Sequence, residues 1–127
     1  MSYEAGAVTA LRAKHVMPVE GPEGRLHDHE YRVEVVASRA GLDERGMVVD
    51  LDVLREAVAA MLEPLRDTDL TPLAPPGTEG VTVEVLARLV FDGVAERLAG
   101  EGAERLSVRV WESDTEFAGY AADLPRA

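Results

Sequence analysis

The chain holds three histidines, His15, His27 and His29, and all of them fall within fifteen residues. Imidazole moves protons near neutral pH and offers a nitrogen lone pair to a divalent metal, so such a cluster is where chemistry would be sought. His27 and His29 open the stretch "HDHEYRVEVVAS", which alternates apolar and polar. In a strand, residues i and i+2 share a face, so the two rings project together. A hairpin returning the preceding strand alongside sets His15 next to them. Three imidazoles supply three nitrogen ligands, a set that zinc accepts while leaving a fourth position for substrate. An ion held in this way polarises a hydroxyl or a carbonyl. The spacing equally fits a plainer arrangement, with His27 and His29 facing solvent and His15 in a loop.

The elements that must position these rings are legible in outline. Residues 5–15 and 27–38 read as strands, joined by "PVEGPEGR", whose prolines and glycines mark a loop. "GLDERG" turns the chain, and Asp50 is placed to cap a helix whose apolar stripe is Leu51, Leu54, Val58, Met61, Leu62 and Leu65, with Pro64 closing it. Residues 66–81, rich in proline and glycine, form an ordered loop. Thr82 caps a second helix reaching about Ala99, with Leu86, Leu89, Val90, Val94 and Leu98 on its buried side. "RLSVRVWES" and "TEFAGYAAD" make a second strand pair. The order ββααββ predicts one α+β domain over residues 1–127, an antiparallel sheet with two helices on one face.

Composition narrows the function. The formal net charge of −11 repels nucleic-acid backbones, so no nucleic-acid partner is expected. There is no cysteine, hence no thiolate ligand or thiol nucleophile. The sequence shows no signal peptide and no long apolar run, so no membrane partner and a cytoplasmic location are expected.

Five segments in order carry a resemblance. "AKH" ending at His15 matches A-x-H, "LHDHEY" matches L-H-G-H, "GMVVDLDVLR" matches G-M-V-x-D-F-x-x-L-K, "VTVEVLA" matches P-T-x-E-x-L-A, and "VRVWES" with Tyr120 matches V-x-E-T followed by tyrosine. The chain thus resembles the 6-pyruvoyltetrahydropterin synthase and 6-carboxytetrahydropterin synthase family over nearly its whole length. The resemblance implies a T-fold (tunnelling fold) that oligomerises into a barrel, as a trimer or hexamer with active sites between subunits. It implies Zn2+ on His15, His27 and His29, and a small-molecule pterin substrate anchored by Glu112. Thr82 and Arg25 join Glu112 as expected substrate contacts, Arg25 near the phosphates. A carboxylate suits the anchoring task because it accepts two charge-assisted hydrogen bonds from an amino-pyrimidine edge.

The chain also departs from this pattern. Four residues before the first histidine of H-x-H the synthases carry cysteine, and here stands Glu23. Their Asp-His relay, L-D-H-x-x-L-N, corresponds to "LRDTDLT", so Arg66 and Asp67 replace it. Asp28, in place of the middle glycine of H-G-H, should face away from the ligands. Glutamate in the cysteine slot is similar to a subgroup, often called type III, that cleaves the side chain of 7,8-dihydroneopterin triphosphate. The resemblance therefore implies a zinc-dependent lyase of folate biosynthesis, with Glu23 as base and Asp67 as a lone proton carrier. Two alternatives stand beside it: a repurposed member performing aldol, retro-aldol or cyclisation chemistry on a non-pterin carbonyl compound, and a catalytically inactive ligand-binding homologue.

Overall fold

A computed structural model describes residues 1–125, apart from the side chain of Glu23. The elements run β1 (Tyr3–His15), β2 (His27–Arg39), α1 (Leu51–Leu62), α2 (Val83–Arg97), β3 (Arg105–Trp111) and β4 (Phe117–Asp123). The strands form one antiparallel sheet in the order β1-β2-β3-β4, with β1 and β4 at its edges. The expected ββααββ order is the observed one.

Alternation fixes which face is covered. Leu11 and Ala13 of β1, Tyr31, Val33, Val35 and Ala37 of β2, and Leu106, Val108 and Val110 of β3 are all buried. They pack against Leu54, Val58 and Leu62 of α1 and Leu86, Val90 and Val94 of α2, so both helices lie on that face. Removing each such aliphatic side chain from water stabilises the fold by roughly 1.5–3 kcal/mol. Where the helices meet, a Cβ at Gly93 would overlap the Met61 thioether, so glycine is what lets them approach.

The helix starts follow from their caps. The Asp50 carboxylate accepts from the Asp52 backbone N–H at 2.8 Å, and the Thr82 hydroxyl accepts from that of Val85 at 3.1 Å. Pro64 ends α1 by drawing Glu63–Leu65 into a 3-10 turn. Three details differ from the sequence expectation, the first being Leu89 of α2, which is half-buried and outside the core cluster. Leu51 is 57% exposed, because the first turn of α1 only rims a 310 Å³ surface cleft shared with Ala5, Met47 and Val49. The third strand stops at Trp111, and Glu112 lies in the turn that follows, its N–H donating to the Glu116 carbonyl at 3.0 Å.

The loop after α1 extends the sheet. Lys14 donates to the Thr68 carbonyl, and Leu70 donates to the Lys14 carbonyl, both at 2.8 Å. The segment therefore lies along the outer edge of β1 beside His15, held by these backbone bonds together with the Thr71 hydroxyl, which accepts from Val16 N–H at 3.0 Å, and Arg66, which reaches the Ala10 carbonyl at 3.4 Å.

Candidate metal centre

The β1–β2 register pairs His15 with His27 and Ala13 with His29. All three histidines occupy the inward parity of their strands, at the end of the sheet where the valine core gives out. Their ring centroids lie 4.5, 4.9 and 4.8 Å apart, and one ligating atom from each falls within 4.8 Å of the others. Spacing alone left solvent-facing histidines open; the fold instead gathers the rings, with His15 only 2% exposed.

Backbone carbonyls aim the nitrogens. A carbonyl only accepts, so His15 Nδ1 donates to Val81 O at 2.9 Å and His27 Nδ1 donates to Arg25 O at 2.7 Å. In the neutral rings this leaves a lone pair on each Nε2. His15 Nε2 is buried with no hydrogen-bond partner among the described residues. An orphaned buried acceptor costs about 1–3 kcal/mol, so it calls for an electrophile. His27 Nε2 and His29 Nε2 stand 3.1 Å apart. Nitrogens bound to one tetrahedral zinc ion stand about 3.3 Å apart. The donor set, its tautomers and its spacing therefore fit a divalent ion, with the second nitrogen of His15 and His27 held by a carbonyl as metal-bound histidines commonly are.

Beneath the cluster lies Tyr31, buried, with its ring centroid 5.4 Å from that of His29 and 6.4 Å from that of His15. Extending the β2–β3 register by one residue sets Glu112 beside Tyr31 on the same face. Glu112 Oε1 is 3.6 Å from His29 Nε2. Of the other expected site residues, Thr82 caps α2 next to the carbonyl that orients His15, and Arg25 contributes the carbonyl that orients His27. Gly24 secures that entry: a Cβ there would strike the Val19 carbonyl. Glu23 belongs to the 3-10 turn Pro22–Gly24, but the expectation for its side chain falls outside the described residues.

Asp67 is not brought to the rings. It is exposed on the β1 edge in the left-handed region, φ 59°, its N–H donating to the Arg12 carbonyl at 2.7 Å. Arg66 beside it bonds Glu63 at 3.3 Å and the Ala10 carbonyl at 3.4 Å, so the relay slot holds a structural latch. Asp28 faces away from the rings, as expected, and pairs with Arg12 at 3.5 Å. The sequence reading missed the two orienting carbonyls, for which no side-chain signal exists. It also missed Tyr31 as a neighbour of the rings, which the continued i+2 spacing from His29 could have indicated. Asp69 was missed as well; the Thr71 hydroxyl and N–H hold its carboxyl below the usual range, with a smaller contribution from Lys14.

A larger cleft, 810 Å³, lies at the far end of the sheet near Ala40, Leu98 and Leu124. Its acids are largely committed: Glu104 accepts from Ala40 N–H at 2.7 Å, and Asp123 pairs with Arg105 at 3.1 Å. The convergent chemistry is at the histidine end.

A four-stranded antiparallel sheet covered on one face by two helices, with three imidazoles closing its first hairpin, is a T-fold. The chain belongs to the 6-pyruvoyl tetrahydropterin synthase family, whose profile matches residues 8–123. Among solved structures it is similar to the Plasmodium falciparum 6-pyruvoyl tetrahydropterin synthase, with 16% identity over 96% of this chain and 98% of that one and a TM-score of 0.81. The Caenorhabditis elegans synthase shares 18% identity over 96% of each chain, TM-score 0.78. A Plasmodium vivax synthase, described as a catalytic-residue mutant with alanine replacing glutamate, shares 14% over 97% of this chain and 99% of that one, TM-score 0.78. No curated protein sequence matches the chain. Among the described residues no helix is long and apolar enough to cross a membrane.

Proposed function

We propose that the chain is a zinc-dependent lyase that cleaves the side chain of 7,8-dihydroneopterin triphosphate or a related reduced pterin. The observation that carries this reading is the buried, unpartnered Nε2 of His15 turned toward the Nε2 atoms of His27 and His29. When bound there, zinc supplies Lewis acidity to oxygens of the substrate side chain. Glu23 takes the side-chain hydroxyl proton, starting a retro-aldol-type cleavage. Support for a glutamate in this role comes from the P. vivax synthase, whose substituted catalytic residue was a glutamate. Glu112 accepts hydrogen bonds from the amino-pyrimidine edge, and Thr82 and Arg25 line the substrate, Arg25 toward its phosphates. Asp67, on the outer edge of β1, serves as proton carrier to a neighbouring subunit's site.

That last role belongs with assembly. Most of β1 and all of β4 offer unpaired edges, which closure into a homo-oligomeric barrel, trimer or hexamer, would satisfy. A cytoplasmic location completes the proposal.

Incubating the zinc-loaded protein with 7,8-dihydroneopterin triphosphate should yield 6-hydroxymethyl-7,8-dihydropterin by chromatography, and Glu23→Ala should abolish it. Metal-loaded protein that forms no pterin product would overturn the reading. One observation favours a second reading, carbon–carbon chemistry on a non-pterin carbonyl compound: the relay slot is occupied by the Arg66 latch. Failure of any pterin to bind would support it.

A further inference from the structure

We propose that a second copy of this chain docks its β4 on the first half of β1 in one register, seating the partner's Tyr120 in the cleft beside Leu51. The inference rests on the barrel closure proposed above and fixes which residues meet there.

The second half of β1 is already taken. The Lys14 N–H and carbonyl bond Thr68 and Leu70, Asp67 N–H donates to the Arg12 carbonyl, and Arg66 reaches the Ala10 carbonyl. Even-numbered residues of β1 thus turn their backbone groups outward, and those of Glu4, Gly6 and Val8 have no partner among the described residues. On β4 the bond from Glu112 to Glu116 commits the even-numbered residues to β3, so Phe117, Gly119 and Ala121 present theirs at the opposite edge. β1 and β4 run in opposite directions, so a copy added edge to edge pairs antiparallel.

Only registers that join these two sets place inward side chains beside inward ones. Of them, the partner's Phe117 opposite Val8 is the furthest along β1 that leaves the Ala10 carbonyl to Arg66. A two-residue shift upward needs that carbonyl and sets Glu4 against the partner's Asp123, a destabilising like-charge pair. A shift downward leaves Val8 uncovered. In the favoured register Val8, 57% exposed, and the partner's Phe117, 48% exposed in the single chain, cover each other on the outer face.

On the inner face the same register sets the partner's Tyr120 opposite Ala5. Ala5 lines the 310 Å³ cleft with Met47, Val49 and Leu51, together with Asp50 and Asp52. Within one chain Tyr120 is only half-buried, its ring 4.8 Å from that of Phe91 and 4.4 Å from the Arg88 guanidinium above it. A large ring therefore meets a small residue backed by an apolar hollow, and the guanidinium riding on that ring arrives at two carboxylates. Covering the ring and Leu51 supplies affinity, while the exposed charges set orientation. Leu51 stands outside its own chain's core because its cover comes from the next copy.

The sequence contains no cysteine, so only introduced thiols can link copies. Opposed residues outside the hydrogen-bonded pairs have Cα atoms about 4.5 Å apart, within disulfide reach, whereas diagonal neighbours at about 7–8 Å lie beyond it. In the full chain, Ala7→Cys with Ala118→Cys, oxidised by copper phenanthroline, should form covalent dimers and larger species on a non-reducing gel. Thr9→Cys with Ala118→Cys and Ala5→Cys with Ala118→Cys, one step up and one down, should stay unlinked. Leu51→Glu should raise the dissociation constant measured by sedimentation at least about tenfold, with circular dichroism unchanged. Linking of a shifted pair in place of the first would overturn the register and leave closure through these edges standing. An unchanged dissociation constant for Leu51→Glu, or copies that associate while none of the three pairs links, would overturn the inference in favour of another surface. A protein that sediments as a monomer at every concentration would remove the closure itself, and this inference with it.

Discussion

Two ends of one sheet face behave differently. Along β2 the inward side chains run His27, His29, Tyr31, Val33, Val35 and Ala37, so one strand passes from metal donors through an aromatic ring into aliphatic core. The two-residue period is the same throughout; what covers it changes. Val33 and Val35 lie under helices, where side-chain volume decides the fit. At the histidine end the decisive partners are the Val81 and Arg25 carbonyls, which choose the nitrogen each ring presents. The core is thus specified by shape and the site by the direction of backbone dipoles. His15 belongs to both regions, being buried and bonded to the residue that precedes the α2 cap.

That dual membership sets the largest expected effect. His15→Ala should lower metal affinity by at least about 100-fold, since even outer-shell losses reach that size. It should also lower metal-free stability, because the Val81 carbonyl loses its donor and a buried ring is removed, losses that together outweigh relief of the unpartnered Nε2. His29→Ala should lose metal with little change in urea unfolding. Elemental analysis after gel filtration, with denaturation of the metal-free proteins, separates the two. Equal stability losses in both variants would erase the distinction drawn for His15.

The converse change tests the other end. Leu86→Ala removes a fully buried side chain of α2 and should cost about 2–5 kcal/mol. Metal bound per folded chain should remain that of the parent. A large fall in affinity would mean that the core and the centre are not separable regions.

Thr82→Ala probes the junction. Losing the cap should cost about 1 kcal/mol. Because the Val81 carbonyl immediately precedes the cap, metal affinity should also weaken severalfold, and Thr82→Ser should restore both. Stability lost with affinity intact would show that the orientation of His15 does not depend on how α2 begins.

These residues also show what the sequence makes legible. Alternation through Tyr31, Val33 and Val35 gave the face, and Asp50 and Thr82 announced the helix starts, because caps and periods are written in side chains. The pairing of His15 with His27 followed once the proline- and glycine-rich segment was read as a connection. The Val81 and Arg25 carbonyls, and the docking of residues 67–70 on β1, use groups every residue possesses, so no residue type signals them. Leu51 fails the helical pattern because periodicity knows the face of a helix but not where its cover ends. The slot at residues 66–67 shows the limit in function: the letters reveal a departure from the family pattern, and only the contacts show Arg66 spent on Glu63 and Ala10.

The smallest effect concerns the loop that closes the β1 edge beside the rings. Asp69 accepts from Thr71 N–H at 2.9 Å, and its carboxyl is held below the usual range first by the Thr71 hydroxyl and then by that N–H. The folded value is lower than the unfolded one, so the charged form is the one folding favours. Its contribution is present above the unfolded pKa of about 4 and is lost as pH falls through the folded value. Asp69→Asn should therefore be slightly less stable than the parent in metal-free urea unfolding at pH 7, and the gap should close in acid. The group is fully exposed, so the shift should be the slightest of the four. A gap that widens in acid would reverse the sign and remove Asp69 from the interactions that hold this loop against β1. The edge beside His15 would then rest on the Thr68 and Leu70 backbone bonds to Lys14, the Asp67 bond to Arg12 and the Thr71 hydroxyl on Val16 N–H.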